Sequence, residues 1–192
     1  AMTTFSLLFN VFKLRIGVAI MLSALAGLAI TPGPAPGTWQ IWVLALAVLL
    51  SSASAGAFNQ YAERDLDARM RRTQRRPFAS GQFTANNYWL TAIILLLLIP
   101  VAATALVVNW VAALYVFLGA FVYGVVYTVW LKRRSWTNIV VGGLAGSFAV
   151  LAGAAAVDPG LAPAPLILAV VMFLWTPPHF WPLAIDRIEE YE

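Results

Sequence analysis

Charged side chains are concentrated in one stretch of the sequence, from Asn59 to Gly81, which reads NQYAERDLDARMRRTQRRPFASG. Nine of the chain's twenty charged residues lie within it, three of them acidic and six of them arginine. Glu63, Asp65 and Asp67 alternate along the chain, so their carboxylates would repel one another unless a cation or nearby arginines balanced them. Such a cluster between apolar segments indicates a metal ion bound together with an anionic substrate.

The spacing within this stretch selects the predicted ligands. Asn59, Glu63 and Asp67 stand at i, i+4 and i+8, which predicts one flank of a helix that extends the preceding apolar segment. Mg²⁺ prefers oxygen ligands and usually binds one or two carboxylates plus substrate phosphates, so these three residues are the predicted metal ligands. Arg72 and Arg76 could bind diphosphate oxygens bidentately. Anchoring to anionic lipid remains an equal alternative for the arginines, but it does not explain the acids.

A second set of polar residues lies near the end of the sequence and consists of His179, Asp186, Glu189 and Glu190. On a continuous helix, His179, Asp186 and Glu190 would share one face, although three prolines in this stretch disfavour an ideal helix. An ionisable residue inside a membrane segment is functional by default, which favours a substrate-binding role for His179 over an interfacial one. Lys132 could also reach the anionic substrate, or it could simply be a basic residue that ends a transmembrane helix.

The composition predicts a membrane protein. The chain has 192 residues, 61% of them hydrophobic and only 10% charged, with a mean hydropathy of +0.82. A soluble domain carries about 25% charged residues, so the solvent of this chain must be the bilayer. The absence of cysteine excludes disulfides, thiolate metal sites and cysteine nucleophiles. In a membrane protein, the net charge of +4 indicates an excess of Lys and Arg on the cytoplasmic side, the positive-inside bias, and does not indicate affinity for nucleic acid.

Apolar segments predict an all-α fold, a polytopic bundle of transmembrane helices in one domain. All Lys and Arg then fall on one side, which predicts a cytoplasmic-type face that carries the chemistry. Gly142 and Gly146 predict a close approach of two helices. The sequence ends directly after an acidic cluster, which predicts a single domain, 1–192, that is incomplete at its C-terminus. The six predicted spans are approximately 16–30, 39–58, 88–108, 110–131, 136–157 and 166–185.

The charged stretch resembles the first aspartate-rich motif of the UbiA superfamily of membrane prenyltransferases, N-x-x-x-D-x-x-x-D followed by R-T-x-x-R-P-x-x-x-G. Asn59, Glu63 and Asp67 fill its metal positions. Glu63 stands where the superfamily usually has aspartate, and Gln60 stands where many members have aspartate. The second half of the motif is matched by Arg72, Thr73, Arg76, Pro77 and Gly81.

Two later stretches resemble the haem-farnesylating branch of that superfamily. They are LKRRSWTNIVVGGLAG, from Leu131 to Gly146, and LWTPPHFWPLAI, from Leu174 to Ile185, followed by the Glu190–Tyr191 pair. The resemblance implies about nine spans in the complete protein. It also implies Mg²⁺-dependent transfer of a farnesyl group from farnesyl diphosphate to a vinyl group of haem b, giving haem O and diphosphate.

The resemblance assigns roles to residues as well. Asn59, Glu63, Asp67 and Glu190 are expected to hold Mg²⁺ and to be catalytic. The expected substrate-binding residues are Arg72, Arg76, Lys132, His179 and Asp186. The expected location is a bacterial-type inner membrane with the active-site loops on the cytoplasmic side, and a haem A synthase is a candidate partner.

Two alternatives stay open. A related prenyltransferase could use a quinone precursor or a chlorophyll-type ring as acceptor, in which case no iron would be present. A membrane transporter or assembly factor without catalysis belongs to another class. Transporters often place charges near the membrane midplane in broken helices, whereas the acids here cluster at one face, which disfavours transport.

Overall fold

The computed structural model describes residues 3–131 and 138–186, and the described residues form helices and turns without strands. A π-helical segment, Val122–Leu131, continues α6. The predicted all-α fold is confirmed. The helices are α1 (Thr4–Val11), α2 (Leu14–Ile30), α3 (Thr38–Ala62), α4 (Arg64–Asp67), α5 (Asn87–Val107), α6 (Trp110–Phe121), α7 (Asn138–Val157) and α8 (Pro163–Asp186).

Two of the described helices, α3 and α5, are long and apolar enough to cross a membrane, with hydropathies of 2.0 and 2.7. Helices α1 and α2 pass the same test together but meet at a bend of 47°, so the number of such spans is up to 3. Shorter apolar helices lie within α6 and its π continuation, α7 and α8. The bilayer therefore remains the predicted environment, and the total of six spans stays a prediction.

The helix predicted to carry Asn59, Glu63 and Asp67 is broken. Helix α3 ends at Ala62, Glu63 has φ −99° and ψ 9°, and the short α4 begins at the next residue. Hydrogen bonds between residues four apart nevertheless cross the break: Glu63 N donates to Asn59 O at 3.0 Å, and Asp67 N donates to Glu63 O at 2.8 Å. The prediction of one continuous helix was wrong, but its helical register is kept.

Helix α8 corrects a second expectation. It continues through Pro177, Pro178 and Pro182 as far as Asp186, although prolines were expected to disfavour a helix here. A proline removes one backbone donor, and a helix in a membrane bundle tolerates this where its neighbours satisfy the freed carbonyl groups.

Small residues allow the helices to pack closely around α7, which contacts α2, α6 and α8. The core consists of alanine, valine and leucine side chains, and a Cβ on Gly27 or Gly153 would overlap the backbone of the facing helix. Gly146, in contrast, makes only ordinary contact with the Met172 side chain, at 3.7 Å. The closest described approach therefore lies between α2 and α7, two turns away from Gly146. The surroundings of Gly142 lie outside what the structure describes, so its predicted close approach stays a prediction.

Gly153→Ala is expected to destabilise the protein by about 1–3 kcal/mol, because the added Cβ meets the Ala24 carbonyl group and α2 must move. Gly146→Ala is the matched control on the same helix. It adds the same methyl group beside a flexible side chain and should be neutral or slightly stabilising. Thermal unfolding in detergent measures both, and equal shifts in Tm would contradict the proposed close approach.

Candidate functional site

The three predicted metal ligands are buried together at the α3–α4 junction. Asn59, Glu63 and Asp67 are 2%, 2% and 4% exposed, whereas a solvated charged loop would leave its acids open to water. Asp65, the middle acid of the alternating set, is exposed. The helical register therefore separates the acids, and two of the three carboxylates enter the site.

Lys13 reaches this site from the junction between α1 and α2. Its backbone is left-handed, with φ 47° and ψ 47°. Its Nζ donates to Asn59 Oδ1 at 2.7 Å and to the Tyr123 hydroxyl at 3.2 Å. Its aliphatic stem crosses Gly56, where a Cβ would lie 3.3 Å from the lysine carbons. The small residue at position 56 therefore leaves room for the lysine to enter.

Lys13 was not among the site residues predicted from the sequence. The residue is 46 positions away from Asn59, and no local spacing connects the two. One signal could have identified it: a cation between apolar helices is costly unless a polar group receives it.

The Asn59 amide is held on both sides. Its oxygen accepts from Lys13, and because an ammonium group only donates, the atom that faces it must be the amide oxygen. Its Nδ2 donates to Glu63 Oε2 at 3.0 Å and to Thr128 Oγ1 at 3.2 Å. Thr128 in turn donates to Tyr123 O at 2.9 Å, across one turn of the π segment. π turns occur frequently at functional sites, and this one brings Thr128 to Asn59 and Tyr123 to Lys13.

Arg76 is engaged with the site rather than with solvent. Its Nη1 lies 2.9 Å from one carboxylate oxygen of Asp67 and 3.1 Å from the other. Thr73 Oγ1 donates to the Asp67 backbone oxygen at 3.0 Å. The second half of the motif therefore folds back over its first half and fixes Asp67. Arg72, the other predicted anion-binding arginine, is exposed.

Aromatic side chains hold this loop against the bundle. Phe78 is 5% exposed and packs edge-to-face on Trp89, with ring centroids 5.1 Å apart, and on Tyr61 at 5.7 Å. Gly81 turns the chain with φ +78°, a conformation that residues with a Cβ rarely adopt. The same aromatic cluster includes Val11 of α1, which precedes Lys13, so it anchors both parts of the site.

Phe78→Ala is expected to loosen the loop, because removing a buried phenyl ring from such a cluster costs about 3–5 kcal/mol. Trypsin should then cleave faster at the exposed arginines of this loop, and the cleavage rate is the measurement. Phe5→Ala removes an exposed ring from α1 and is the control. Equal cleavage rates in the two variants would show that Phe78 does not anchor the loop.

The donor set of the site suits a hard divalent cation. Two buried carboxylates and an amide oxygen lie at the α3–α4 junction, and such donors match the preference of Mg²⁺ for oxygen ligands completed by substrate phosphates. Within residues 3–131 and 138–186, no group of three or more His, Cys, Asp or Glu could hold a metal ion by itself.

The second predicted constellation falls mostly outside the described residues. Lys132 and Glu190 lie outside them, as does Glu189, and the described part of His179 is limited to its place in helix α8. Asp186 is described and exposed at the end of α8. The proposed contributions of these residues to the site stay predictions.

A narrow, partly open cavity lies between α2, α3, α6 and α7. Its walls are mainly apolar and small side chains, and Lys13 and Tyr123 line one end. Since Lys13 Nζ also binds Asn59, the polar site and the apolar cavity meet at this lysine. The arrangement suits a ligand with an anionic head and an apolar tail.

Comparison with known proteins gives concordant results. Residues 20–192 match the UbiA prenyltransferase family. Two relatives from Paramagnetospirillum magneticum are protoheme IX farnesyltransferase 2, 59% identical over 182 residues, and protoheme IX farnesyltransferase 1, 48% identical over 188 residues. These alignments cover 95% and 98% of this chain but 63% and 66% of the relatives, so the chain spans somewhat less than two thirds of their length.

Solved structures share the fold. A UbiA homolog from Archaeoglobus fulgidus bound to DMAPP and Mg²⁺ is 17% identical and superimposes with a TM-score of 0.78, covering 93% of this chain and 62% of that one. The same homolog bound to GPP and Mg²⁺ gives a TM-score of 0.76 at 18% identity, covering 96% and 64%. At such identities the likeness concerns the fold alone.

Proposed function

Because this chain belongs to the UbiA prenyltransferase family, we propose that it carries the diphosphate-binding half of a haem farnesyltransferase. The reaction is Mg²⁺-dependent transfer of a farnesyl group from farnesyl diphosphate to a vinyl group of haem b, giving haem O and diphosphate. One observation supports it most directly: the Asn59 amide, which is buried at the same junction as two carboxylates, is connected through Lys13 to an apolar cavity.

The choice of substrates is supported by the relatives. Those with the highest identity given above are named protoheme IX farnesyltransferases, which favours haem b as acceptor and farnesyl diphosphate as donor. The structural neighbours hold Mg²⁺ together with DMAPP or GPP, which favours the same class of metal and donor.

In the proposed site, Asn59, Glu63 and Asp67 hold the metal, and Glu190 is the proposed fourth contributor. When bound, Mg²⁺ neutralises the diphosphate and makes it a better leaving group. Arg76 keeps the Asp67 carboxylate in place through its two contacts of 2.9 and 3.1 Å. The ammonium group of Lys13 faces the leaving diphosphate and stabilises the charge that develops on it.

The cavity walls have a separate task. A prenyl group that is losing diphosphate carries positive charge on carbon, and water would quench it before the acceptor could react. The mainly apolar lining excludes water around the chain during this step. Arg72 and Lys132 are proposed to bind the diphosphate from the loop side, while His179 and Asp186 are proposed to position the acceptor.

We place residues 1–192 in one transmembrane prenyltransferase domain. Its proposed location is a bacterial-type inner membrane with the charged loop on the cytoplasmic side, where the positive-inside bias favours the arginine-rich segment. A haem A synthase, which would consume the product, is the proposed partner.

The decisive experiment expresses the protein as its gene encodes it in cells that lack haem O and identifies their porphyrins by mass spectrometry. Production of haem O that depends on farnesyl diphosphate and Mg²⁺ is the expected result. A prenylated quinone precursor would replace the acceptor in the proposal. Absence of any prenylated product, with the protein present in the membrane, would overturn the enzymatic assignment.

A further inference from the structure

We propose that the inner end of the cavity, formed by Val48, Val116 and Ala149, sets the length of the prenyl chain that the protein accepts. This rests on the proposed function, because it requires that the cavity holds the prenyl tail of the diphosphate. The three residues are named the cavity floor below. They come from α3, α6 and α7, so their approach is decided by the packing of three helices.

The orientation of the cavity follows from the residues that line it. Lys13 and Tyr123 mark the end of the cavity next to Asn59, because the lysine ammonium group contacts both the Asn59 amide oxygen and the Tyr123 hydroxyl group. Along α3 the lining continues from Gly56 through Ser51 to Val48, away from Asn59.

The other helices show the same direction. Along α6 and its π continuation the lining residues run from Tyr123 down to Val116 and Tyr115, and along α7 they run from Ala145 to Ala149. The cavity floor therefore contains the lining residues farthest from the charged site on α3 and α7, and on α6 it lies one residue from the far end of the lining.

The cavity stops at the floor because the core begins there. Val48, Val116 and Ala149 are 4%, 4% and 5% exposed, and all three belong to the buried cluster that also includes Ala24 and Leu44. The floor residues thus face the cavity with one side and the packed interior with the other. A longer ligand could extend only by displacing core side chains, which a close-packed interior resists.

The depth of the cavity matches a short polyprenyl chain. Gly56 and Val48 are eight residues apart on α3, which corresponds to about 12 Å along the helix axis. An extended isoprene unit contributes four carbon–carbon bonds of about 1.5 Å each, or roughly 5 Å of length. Two units span about 10 Å and three span about 15 Å, so the distance from the lysine to the floor lies between the lengths of a geranyl and a farnesyl chain, and the third unit of a farnesyl chain would meet the floor.

Two substitutions move the floor in opposite directions. Ala149→Leu adds carbon atoms at the floor and should shift donor preference from farnesyl to geranyl diphosphate. Val116→Ala removes two methyl groups and should shift it toward geranylgeranyl diphosphate. Each shift in the ratio of products is expected to be about tenfold or more, since even one methylene in an apolar pocket changes discrimination by at least about that factor. Ala102→Leu, on the exposed face of α5, is the matched control.

The assay supplies the gene-encoded protein with equal concentrations of the three diphosphates and haem b, and measures the masses of the prenylated porphyrins. Opposite shifts in Ala149→Leu and Val116→Ala, with wild-type products from Ala102→Leu, support the proposal. Wild-type products from both floor variants would overturn it and leave the proposed function intact. If the wild-type protein makes no prenylated porphyrin, the proposed function itself fails.

Two further outcomes are informative. Floor variants that change the use of the acceptor but not the chain length would show that the cavity holds the acceptor, and would overturn the proposal. Where Ala149→Leu does not accumulate, Val116→Ala decides alone, because it removes atoms and does not crowd the core.

Discussion

Asp67→Asn is expected to lower the rate of prenyl transfer by about 10²- to 10³-fold, the loss typical of removing one group that stabilises charge in a transition state. The substitution keeps the shape of the side chain and removes its negative charge. It also removes the negative partner of Arg76, whose guanidinium group contacts both carboxylate oxygens. The positive charge of Arg76 is then left unbalanced in the site. The measurement is the initial rate of haem O formation at saturating and limiting Mg²⁺.

The matched control for Asp67→Asn is Asp65→Asn, which makes the same chemical change two residues earlier on the same short helix. Asp65 is exposed, so its loss should leave the rate within about twofold, as surface substitutions usually do. If the two variants lose activity equally, the charge of the loop matters and its geometry does not. If neither loses activity, Asp67 is not a metal ligand.

Lys13→Gln is expected to lower the rate by about 10- to 10²-fold and to raise the Mg²⁺ concentration needed for half-maximal rate. Groups that orient metal ligands typically contribute a factor of this size to metal affinity or activity. The ammonium group contacts Asn59 Oδ1 at 2.7 Å, so its removal frees the amide to rotate and takes a positive charge away from the leaving diphosphate.

The control for Lys13→Gln is Arg15→Gln, which removes a positive charge from an exposed side chain on the first turn of α2. It should leave both the rate and the Mg²⁺ dependence unchanged. A lower rate with unchanged Mg²⁺ dependence in Lys13→Gln would place the lysine at the diphosphate alone. Equal behaviour of the two variants would exclude Lys13 from the site.

Several features of the site follow from the sequence because they are local. The i, i+4, i+8 spacing identifies Asn59, Glu63 and Asp67. The structure places Asp65 off their face, because a helix turns by about 200° over two residues. The break at Glu63 does not disturb this, because hydrogen bonds between residues four apart cross it on both sides. These local backbone hydrogen bonds therefore preserve the helical register of the three residues across the break.

The role of Arg76 was only partly accessible from the sequence. Its type and position in the motif identify it as an anion-binding residue, and the structure shows that the anion it contacts within the chain is the Asp67 carboxylate. Whether Arg76 contacts Asp67 or another anion depends on how the loop folds. The fold of the loop depends in turn on the packing of Phe78 against Trp89 of α5. A spacing of nine residues in a loop does not specify such a contact.

By itself, the sequence determined that this is an all-helical membrane protein. It also predicts that the chemistry lies in the 59–81 segment and that Asn59, Glu63 and Asp67 begin a metal site. These properties depend on composition and on neighbours a few residues apart. Only the tertiary structure brought Lys13 to Asn59, Thr128 to the same amide, and three helices to the floor of one cavity. Contacts between distant parts of the chain depend on how whole helices pack, and helical periodicity does not encode which neighbour a face will meet.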